Sequence, residues 1–242
     1  MPAHSVNFAM LSHPGRVRKG NEDTCAASPE LGAFIVCDGM GGAAAGEVAS
    51  HLATQAFLQS LRNHAGAAPE SRLKSAIHAA NQSVYQRSRT AHHLEGMGTT
   101  LVALLHLPDT LTLAHVGDSR AYLLRGGRLT RLTHDHSLVE DQVRSGDLTP
   151  TQAAQHPWRN IITRAIGSQP VVEPDILSLD PHRGDLFLLT SDGLTNELPD
   201  STIAEVLTRP RLDLANLCQI LIDCANQAGG RDNITVLLLQ IP

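Results

Sequence analysis

The stretch FIVCDGMGG, residues 34–42, decides how this chain is interpreted, because an apolar run ends there in an acid followed by glycines. Residues 34–37 are typical of a short buried strand, so the pattern places Asp38 where a strand leaves the core. An unpaired carboxylate is costly at such a place, and we expect something positive beside it. The glycines at 39, 41 and 42 would let the backbone approach a ligand closely or adopt positive φ angles.

The composition indicates a globular protein with no sign of a nucleic-acid or membrane partner. The chain has 242 residues, 42% of them hydrophobic, which fits a single domain over residues 1–242. Its formal net charge is −5 and its basic residues are scattered, which argues against nucleic acid and anionic membrane surfaces. Because no signal segment or membrane-length apolar run is visible, we expect a cytoplasmic protein, acting as a monomer.

The order of the predicted elements favours an α+β fold. Strands are predicted at residues 5–11 and 32–37, separated by a polar loop at 15–23, and helices follow at 44–64 and 70–90. Residues 98–132 resemble a run of short strands, which we interpret as an antiparallel meander. A helical excursion at 137–168 precedes a strand within 185–194, a helix at about 212–228 and a last strand at 233–241. This order predicts layers built on antiparallel sheets rather than a doubly wound parallel sheet.

Four aspartates lie beside glycine or at the ends of predicted strands: Asp38, Asp118, Asp192 and Asp232. Each one alone is explained as an ordinary turn residue. Gathered at one end of the sheets, they would repel one another and raise each other's pKa unless cations were bound. Oxygen ligands without thiols suit Mg²⁺ or Mn²⁺. The four together therefore predict a site for hard divalent ions.

Seven short motifs occur in an order that resembles one enzyme family. They are RKGNED (18–23), DGMGG (38–42), GTT (98–100), GDSR (117–120), LTHDHS (132–137), SDGL (191–194) and GGRDN (229–233). Together they resemble the metal-dependent Ser/Thr protein phosphatases of the 2C type, in their compact bacterial form, over residues 5–240. The resemblance implies a four-layer α-β-β-α sandwich of two antiparallel sheets flanked by helices. It also implies a small flap, here defined as residues 140–168, and a metal cluster at one end.

The resemblance also implies the metal ligands. Asp38 matches the carboxylate that bridges two Mn²⁺ or Mg²⁺ ions, and the Gly39 carbonyl matches a ligand of the second ion. Asp192 and Asp232 match the remaining ligands of the first ion. Glu22 matches the acid that holds a metal-bound water.

Two further matches concern a third ion and the substrate. Asp118 together with Asp192 matches the third-metal site of bacterial members. Arg18 matches the phosphate-binding arginine, although Arg16 lies two positions away as a competitor. The resemblance departs at Met40, where many eukaryotic relatives carry a histidine proposed as general acid, and methionine has no proton to donate.

The implied reaction is hydrolysis of phosphoserine and phosphothreonine by direct attack of a metal-activated water, with Asp38, Asp192 and Arg18 as catalytic residues. Two ions that share a carboxylate lower the pKa of a trapped water, so no covalent phosphoenzyme is needed. The implied partners are phosphorylated proteins and a cognate bacterial Ser/Thr kinase that this activity would oppose.

Other phosphatase chemistries fit the sequence less well. Cys224 is followed by six residues before Arg231, whereas a cysteine phosphatase needs five, and no two aspartates are separated by a single residue as in haloacid-dehalogenase phosphatases. The pair His134 and His136 could suggest zinc, but no further metal-ligand run follows. We expect these two histidines to pack in a loop beneath the site, and the other histidines, including His92 and His93, to face solvent.

Two alternative functions and the role of the flap remain open at this point. A pseudophosphatase would keep the fold only to bind phosphoproteins, although such chains typically lose metal ligands that are retained here. A metal-dependent phosphatase of small molecules is a weaker possibility. The flap could influence substrate choice or could be a peripheral insertion.

Overall fold

The computed structural model describes residues 6–41, 45–108 and 110–242, so Gly42 of the opening motif lies outside the described residues. Two antiparallel sheets form its centre. The first has the order β1 (Asn7–His13), β11 (Ile234–Gln240), β10 (Leu186–Thr190), β7 (Arg120–Arg125) and β8 (Arg128–Arg131). The second has the order β2 (Asp23–Ser28), β3 (Ala33–Met40), β5 (Leu101–Leu107), β6 (Thr110–Val116) and β9 (Asp175–Leu179), with β4 (Gly98–Thr99) paired to the end of β3.

Helices cover the outer face of each sheet. The helices α1 (Ala45–Asn63) and α2 (Pro69–Thr90) pack on the second sheet, and α6 (Asp200–Leu207) and α7 (Leu214–Ala228) pack on the first. The short α5 (Asp192–Thr195) follows β10, and α3 (Leu138–Ser145) and α4 (Pro150–Ala154) lie in the flap region. The predicted four-layer α-β-β-α sandwich is therefore confirmed.

Strand β3 shows how the sequence builds these layers. Phe34 and Val36 point into the core between the two sheets, whereas Ile35 and Cys37 point into the core beneath α1 and α2. All four side chains are fully buried. A strand buried on both faces is uniformly apolar, as the sequence of residues 34–37 is.

The predicted end of this strand was wrong by several residues. Strand β3 continues to Met40, because Gly39 and Met40 pair with Thr99 and Gly98 of β4. Asp38 therefore lies inside a strand rather than after one, opposite Asp23 of β2. Pairing holds its backbone on both sides, which fixes the direction of its side chain.

The predicted meander over residues 98–132 was also wrong. Strands β5 and β6 belong to the second sheet, whereas β7 and β8 belong to the first. The chain crosses between the sheets at residues 117–119, where Gly117 has a φ of +105°. A Cβ at Gly117 would lie 2.7 Å from the side chain of Thr100, so the crossing needs glycine for both its φ angle and its space. Asp118 is carried on this crossing.

Three elements lack a sequence signal strong enough to predict. Strand β2 has the small-residue sequence DTCAAS, β9 has only five residues, and α6 has eight. The long helices α1, α2 and α7 agree with their predicted ranges to within a few residues. Within the part of the chain that the structure describes, no helix is long and apolar enough to cross a membrane.

Candidate metal centre

A cavity of about 260 Å³ opens at the end of the sandwich where β3 and β10 end. Its lining residues are Arg18, Glu22, Asp38, Gly39, Met40, Gly41, Thr100, Asp118, Asn160, Ile162, Asp192 and Asp232. Every residue that the sequence singled out as a ligand or phosphate binder is among them. The structure thus brings together side chains from positions 18 to 232.

The backbone at Asp38 is held by hydrogen bonds to the neighbouring threonines. Its N–H donates to Thr100 Oγ1 (2.9 Å), and its carbonyl accepts from the Thr100 N–H (2.8 Å) and from Thr99 Oγ1 (2.8 Å). Position 39 needs glycine because a Cβ there would overlap the carbonyl oxygen of Gly46 at the start of α1. Gly39 therefore lies close to α1 and beside the cavity.

The other two strand-end aspartates are oriented by local contacts. Asp192 is the first residue of α5, and its Oδ2 accepts from Asn196 Nδ2 (2.9 Å). Asp232 Oδ1 accepts from the N–H of Asn233 (2.8 Å), and its Oδ2 accepts from Arg18 Nη2 (2.7 Å). Both carboxylates therefore have defined directions.

Asn233 is a positioning residue that sequence reasoning missed. Its Oδ1 accepts from the Glu22 N–H (2.7 Å), and its Nδ2 donates to the carbonyls of Pro14 (3.1 Å) and Gly20 (2.9 Å). It thereby fixes the loop that carries Arg18 and Glu22. Its presence in the GGRDN motif was visible, but these partners lie more than 200 residues away in the sequence.

A buried carboxylate beneath the cavity was also not predicted. Asp23 Oδ2 accepts from Ser191 Oγ (2.7 Å) and Thr235 Oγ1 (2.6 Å), whereas no described residue donates to its Oδ1. Burial raises the pKa of Asp23 to about 6, against the lowering effect of these two hydrogen bonds. Asp23 thereby connects β2 of one sheet to strand β11 and the residue before α5 at the other.

The carboxyl groups of the cavity have raised pKa values. Burial, and then the charges of Asp23, Asp192 and Asp118, raise the pKa of Asp38 well above its usual value. Burial and the charges of Asp192 and Asp135 raise the pKa of Asp118 to about 8. The pKa of Asp192 is raised by burial and by the charge of Asp232, and burial raises that of Glu22. The cluster is short of positive charge.

The donor set of the cavity fits hard divalent cations. Among the residues that line it, five are acids and one, Arg18, is a cation. Carboxylate, carbonyl and hydroxyl oxygens are the groups available, and no thiol or imidazole lines the cavity. Divalent ions of the Mg²⁺ or Mn²⁺ type supply the charge that the cluster needs and accept these oxygens.

Arg18, rather than Arg16, lies at the cavity. The Arg18 side chain is about half exposed and pairs with Asp232. Arg16 is not among the described residues that line the cavity, and its N–H donates to the carbonyl of Gly230 (2.7 Å). Of the two candidates, Arg18 is the one that lines the cavity.

The histidines do not follow the sequence expectation. His134 is not packed beneath the site, since its side chain is 76% exposed, whereas that of His136 is 3% exposed. The two therefore lie on opposite sides of their loop and do not converge as a zinc-binding pair. His92 and His93 face solvent as expected, but His115 is buried, which corrects the expectation for the remaining histidines.

A second cavity, of about 560 Å³, adjoins the first and shares Asp118, Asn160 and Asp192 with it. Apolar side chains of the flap region and of the body line it: Val139, Val143, Pro150, Ala153, Leu198 and Pro199. On its polar wall, Arg120 and Arg131 both bind the carboxylate of Asp135 (2.7 and 2.6 Å). The two cavities form one cleft.

Comparison with known proteins shows to which family the chain belongs. The sequence model described as protein phosphatase 2C matches residues 16–234. The chain belongs to the protein phosphatase 2C family. This family is metal-dependent, and the carboxylate cavity described above is where the present member carries its acidic cluster.

Among curated relatives, the chain is 40% identical over 236 residues to the serine/threonine protein phosphatase PstP of Mycobacterium tuberculosis, covering 98% of this chain but 45% of PstP. It therefore spans less than half the length of that relative. It is 38% identical over 233 residues to the serine/threonine phosphatase stp of Listeria monocytogenes, covering 93% of this chain and 92% of stp.

Solved structures of the 2C family agree in fold. The crystal structure of M. tuberculosis PstP superimposes with a TM-score of 0.91 at 39% identity, covering 98% of both chains. The catalytic domain of PstP in complex with two manganese ions gives a TM-score of 0.88 at 38% identity, covering 98% of this chain and 99% of that one. A Streptococcus agalactiae serine/threonine phosphatase gives 0.91 at 36% identity, over 98% of this chain and all of that one.

Proposed function

We propose that this protein is a Ser/Thr protein phosphatase that hydrolyses phosphoserine and phosphothreonine in other proteins with Mn²⁺ or Mg²⁺. The observation that carries the proposal is the cavity in which five carboxylates face a single arginine. Divalent ions held there would lower the pKa of an attacking water and offset the negative charge of the phosphoryl group. The relationship to the PstP domain that binds two manganese ions supports the same chemistry.

Different residues of the chain would bind the two ions. Asp38 would serve both of two ions, with Asp192 and Asp232 completing one side and the Gly39 carbonyl the other. Glu22 would hold a water of the second ion, and its position is fixed through its N–H by Asn233. The hydrogen bonds to Thr100 hold the backbone of Asp38, so its carboxylate needs little reorganisation.

Two further residues would act on the ions or on the substrate. Asp118 with Asp192 would hold a third ion at the junction of the two cavities, which both residues line. Arg18 would bind phosphoryl oxygens with its planar guanidinium, exchanging its contact with Asp232 for the substrate. Met40 lines the cavity but has no proton to donate, so another group must protonate the departing oxygen.

The second cavity favours a polypeptide substrate over a small molecule. A phosphorylated side chain in the 260 Å³ cavity would leave its flanking residues beside the 560 Å³ cavity, between the flap and the body. The apolar walls there suit peptide side chains. If the flap contributes to binding, deletion of residues 146–156 will reduce turnover of phosphopeptides more than turnover of a small aryl phosphate, whereas equal losses will identify a peripheral insertion.

Metal-dependent turnover is the direct test. The purified protein should hydrolyse an aryl phosphate and phosphoserine peptides with Mn²⁺ or Mg²⁺, and EDTA should abolish both activities. Absence of turnover with any divalent ion would overturn the proposal in favour of a phosphoprotein-binding scaffold. Comparing kcat/KM for phosphopeptides with that for small phosphate esters separates a protein phosphatase from a small-molecule phosphatase.

The cellular setting follows from the relatives. The relatives named above are bacterial, and we infer that the protein acts on substrates of a bacterial Ser/Thr kinase. The cytoplasmic location and the monomeric state stay predictions from the sequence. Phosphoproteomes of cells with and without the gene should differ at phosphoserine and phosphothreonine sites. Restoration of the difference by the wild-type gene, and not by an Asp38→Asn gene, would connect the sites to catalysis.

A further inference from the structure

A cluster of two buried histidines, His115 and His136, with the partly exposed Asp175 lies outside the proposed metal centre. Ligand atoms of the three residues lie within 4.8 Å of one another. The two imidazole rings stack with centroids 4.6 Å apart, and the two histidines are 4% and 3% exposed. Two histidines and an aspartate so close together resemble a metal site. The hydrogen bonds of the three side chains distinguish a metal site from a structural role.

The hydrogen bonds of the cluster oppose cation binding. The Gly117 N–H donates to His136 Nδ1 (3.2 Å), and a neutral imidazole that accepts at Nδ1 carries its one proton on Nε2. His115 Nε2 lies 2.8 Å from the carbonyl of His134, which can only accept, so that nitrogen is protonated as well. Arg164 Nη1 already holds Asp175 Oδ1 (2.7 Å). In this arrangement His136 Nε2 carries a proton and a guanidinium already pairs with Asp175.

His136 instead joins three separate segments of the chain. Its own N–H donates to the carbonyl of Gly117 (3.0 Å), so it bonds both backbone groups of that glycine. Its carbonyl accepts from the N–H of Thr163 in the flap (2.7 Å). Its Nε2 lies 3.4 Å from Asp175 Oδ2 at the start of β9. Among the described residues, His136 is the one that bonds both the N–H and the carbonyl of Gly117.

Gly117 is the residue directly before Asp118, at the crossing between the two sheets. Thr100 closes one side of this crossing, since a Cβ on Gly117 would lie 2.7 Å from its side chain. His136 closes the other side through its two hydrogen bonds. Burial lowers the pKa of His136 to about 4, which keeps Nδ1 available as an acceptor at neutral pH.

We propose that His136 is a positioning residue that holds the Gly117 backbone through Nδ1 and so couples the direction of Asp118 to the flap at Thr163. The expected effect on ion binding rests on the proposed function, whereas the effect on the Gly117 amide does not. Loss of the Nδ1 acceptor should release the crossing and weaken the ion site that Asp118 shares with Asp192. The sites formed by Asp38 and Asp232 should be spared.

Two substitutions separate the nitrogens of the ring. In His136→Asn the side-chain oxygen can occupy the position of Nδ1 and accept from Gly117, whereas in His136→Gln the amide reaches the position of Nε2 and leaves Gly117 without an acceptor. We expect His136→Gln to speed hydrogen exchange of the Gly117 amide about tenfold and to weaken the weakest Mn²⁺-binding step about tenfold, as loss of one hydrogen bond would. His136→Asn should stay close to wild type in both. His115→Gln, which alters the stacked ring but not Gly117, is the matched control.

The readouts are amide exchange by NMR and Mn²⁺ binding by titration calorimetry. Equal effects of His136→Asn and His136→Gln on Gly117 exchange, or none from either, would overturn the proposal. Faster Gly117 exchange in His136→Gln alone would support it even if the wild type bound no Mn²⁺, a result that would instead count against the proposed function.

A measurement on the wild type tests the link to the flap without any variant. Trp158 is the chain's only tryptophan, it lies in the flap and it is 56% exposed. Coupling predicts that the Trp158 fluorescence changes during the weakest Mn²⁺-binding step. In a control titration with buffer that contains no Mn²⁺ or Mg²⁺, the fluorescence should change only by dilution. Unchanged emission through that step would overturn the coupling.

Discussion

Strand β10 has an aspartate near each end, and the two aspartates have opposite electrostatic surroundings. Asp185, directly before the strand, is 1% exposed and accepts from Arg125 Nε (2.8 Å) and Nη2 (2.6 Å). Asp192, two residues after the strand, accepts one neutral hydrogen bond from Asn196 and faces other carboxylates. One carboxylate is neutralised by an arginine, whereas the other has no such pair among the described residues.

The pKa values of the two aspartates record this difference. Burial alone would raise the pKa of Asp185, but the hydrogen bonds from Arg125 outweigh it and hold the pKa below its usual value. Burial and the charge of Asp232 raise the pKa of Asp192. The first arrangement favours the folded state by itself. The second costs stability until cations bind, which is what a metal site requires.

The largest expected effect comes from the uncompensated end. Asp192→Asn should lower kcat/KM with Mn²⁺ by at least about 10³-fold, because several kcal/mol of charge stabilisation depend on the ions. The melting temperature in EDTA should be unchanged or higher, because one of several repelling carboxylates is removed. Asp38→Asn should behave in the same way. A fully active Asp38→Asn protein would be incompatible with the proposed site.

The matched substitution at the other end should do the reverse. Asp185→Asn removes a charge-assisted pair with Arg125 and should lower the free energy of unfolding by about 2 kcal/mol. Mn²⁺ binding and kcat/KM should be unchanged, because Asp185 lies at the far end of the strand. Denaturant unfolding and steady-state kinetics on the same preparation measure both. If Asp185→Asn lost Mn²⁺ binding without losing stability, the proposed distinction between the two ends of β10 would be wrong.

The sequence predicted which acids line the cavity because acids beside glycine are visible locally. Asp38, Asp192 and Asp232 each follow an apolar run or a glycine pair, and their ordered motifs resembled a family. The sequence could not show that Asp38 lies inside a strand, because that depends on pairing with residues 98 and 99. Nor could it show that Asp185 is the neutralised member, because its partner Arg125 is 60 residues away.

The remaining errors also arise from long-range contacts. The strands on either side of Gly117 have the spacing of a hairpin, and only packing against Thr100 and the opposite sheet shows that the chain crosses there. Asn233 and Asp23 act through partners on distant loops, so their residue types alone carry no signal. Local patterns predicted which acids are present, and tertiary contacts determined how each is held.

Two arginines, Arg125 near the start of β10 and Arg18 at the cavity beyond its end, allow a smaller test of the same comparison. Arg125 makes two hydrogen bonds to one buried carboxylate, whereas Arg18 makes one, to Asp232, and is about half exposed. Arg18→Ala should raise KM for a phosphopeptide roughly tenfold with a smaller change in kcat, since one charge-assisted contact to phosphate is lost. Arg16→Ala is the control and should leave KM unchanged. The reverse result would reassign phosphate binding to Arg16.

The smallest expected effect is the pH dependence of stability without metal. Asp118, with a pKa of about 8, and Asp38, with a strongly raised pKa, bind protons more tightly when folded than when unfolded. Their contribution is therefore complete below the unfolded pKa, about 4, and is lost as the pH rises towards 8. In EDTA the melting temperature should therefore fall steadily as the pH rises over this range.

Two additions identify the carboxylates responsible for that slope. Saturating Mn²⁺ should remove the fall at pH 8, because ions that bind only the folded state replace the lost protons. Asp192→Asn should flatten the slope in EDTA, whereas Asp185→Asn should leave it unchanged, since the lowered pKa of Asp185 acts only below about pH 4. A slope that Asp185→Asn abolishes and Asp192→Asn leaves intact would show that the repulsion lies at the opposite end of β10 from the proposed metal centre.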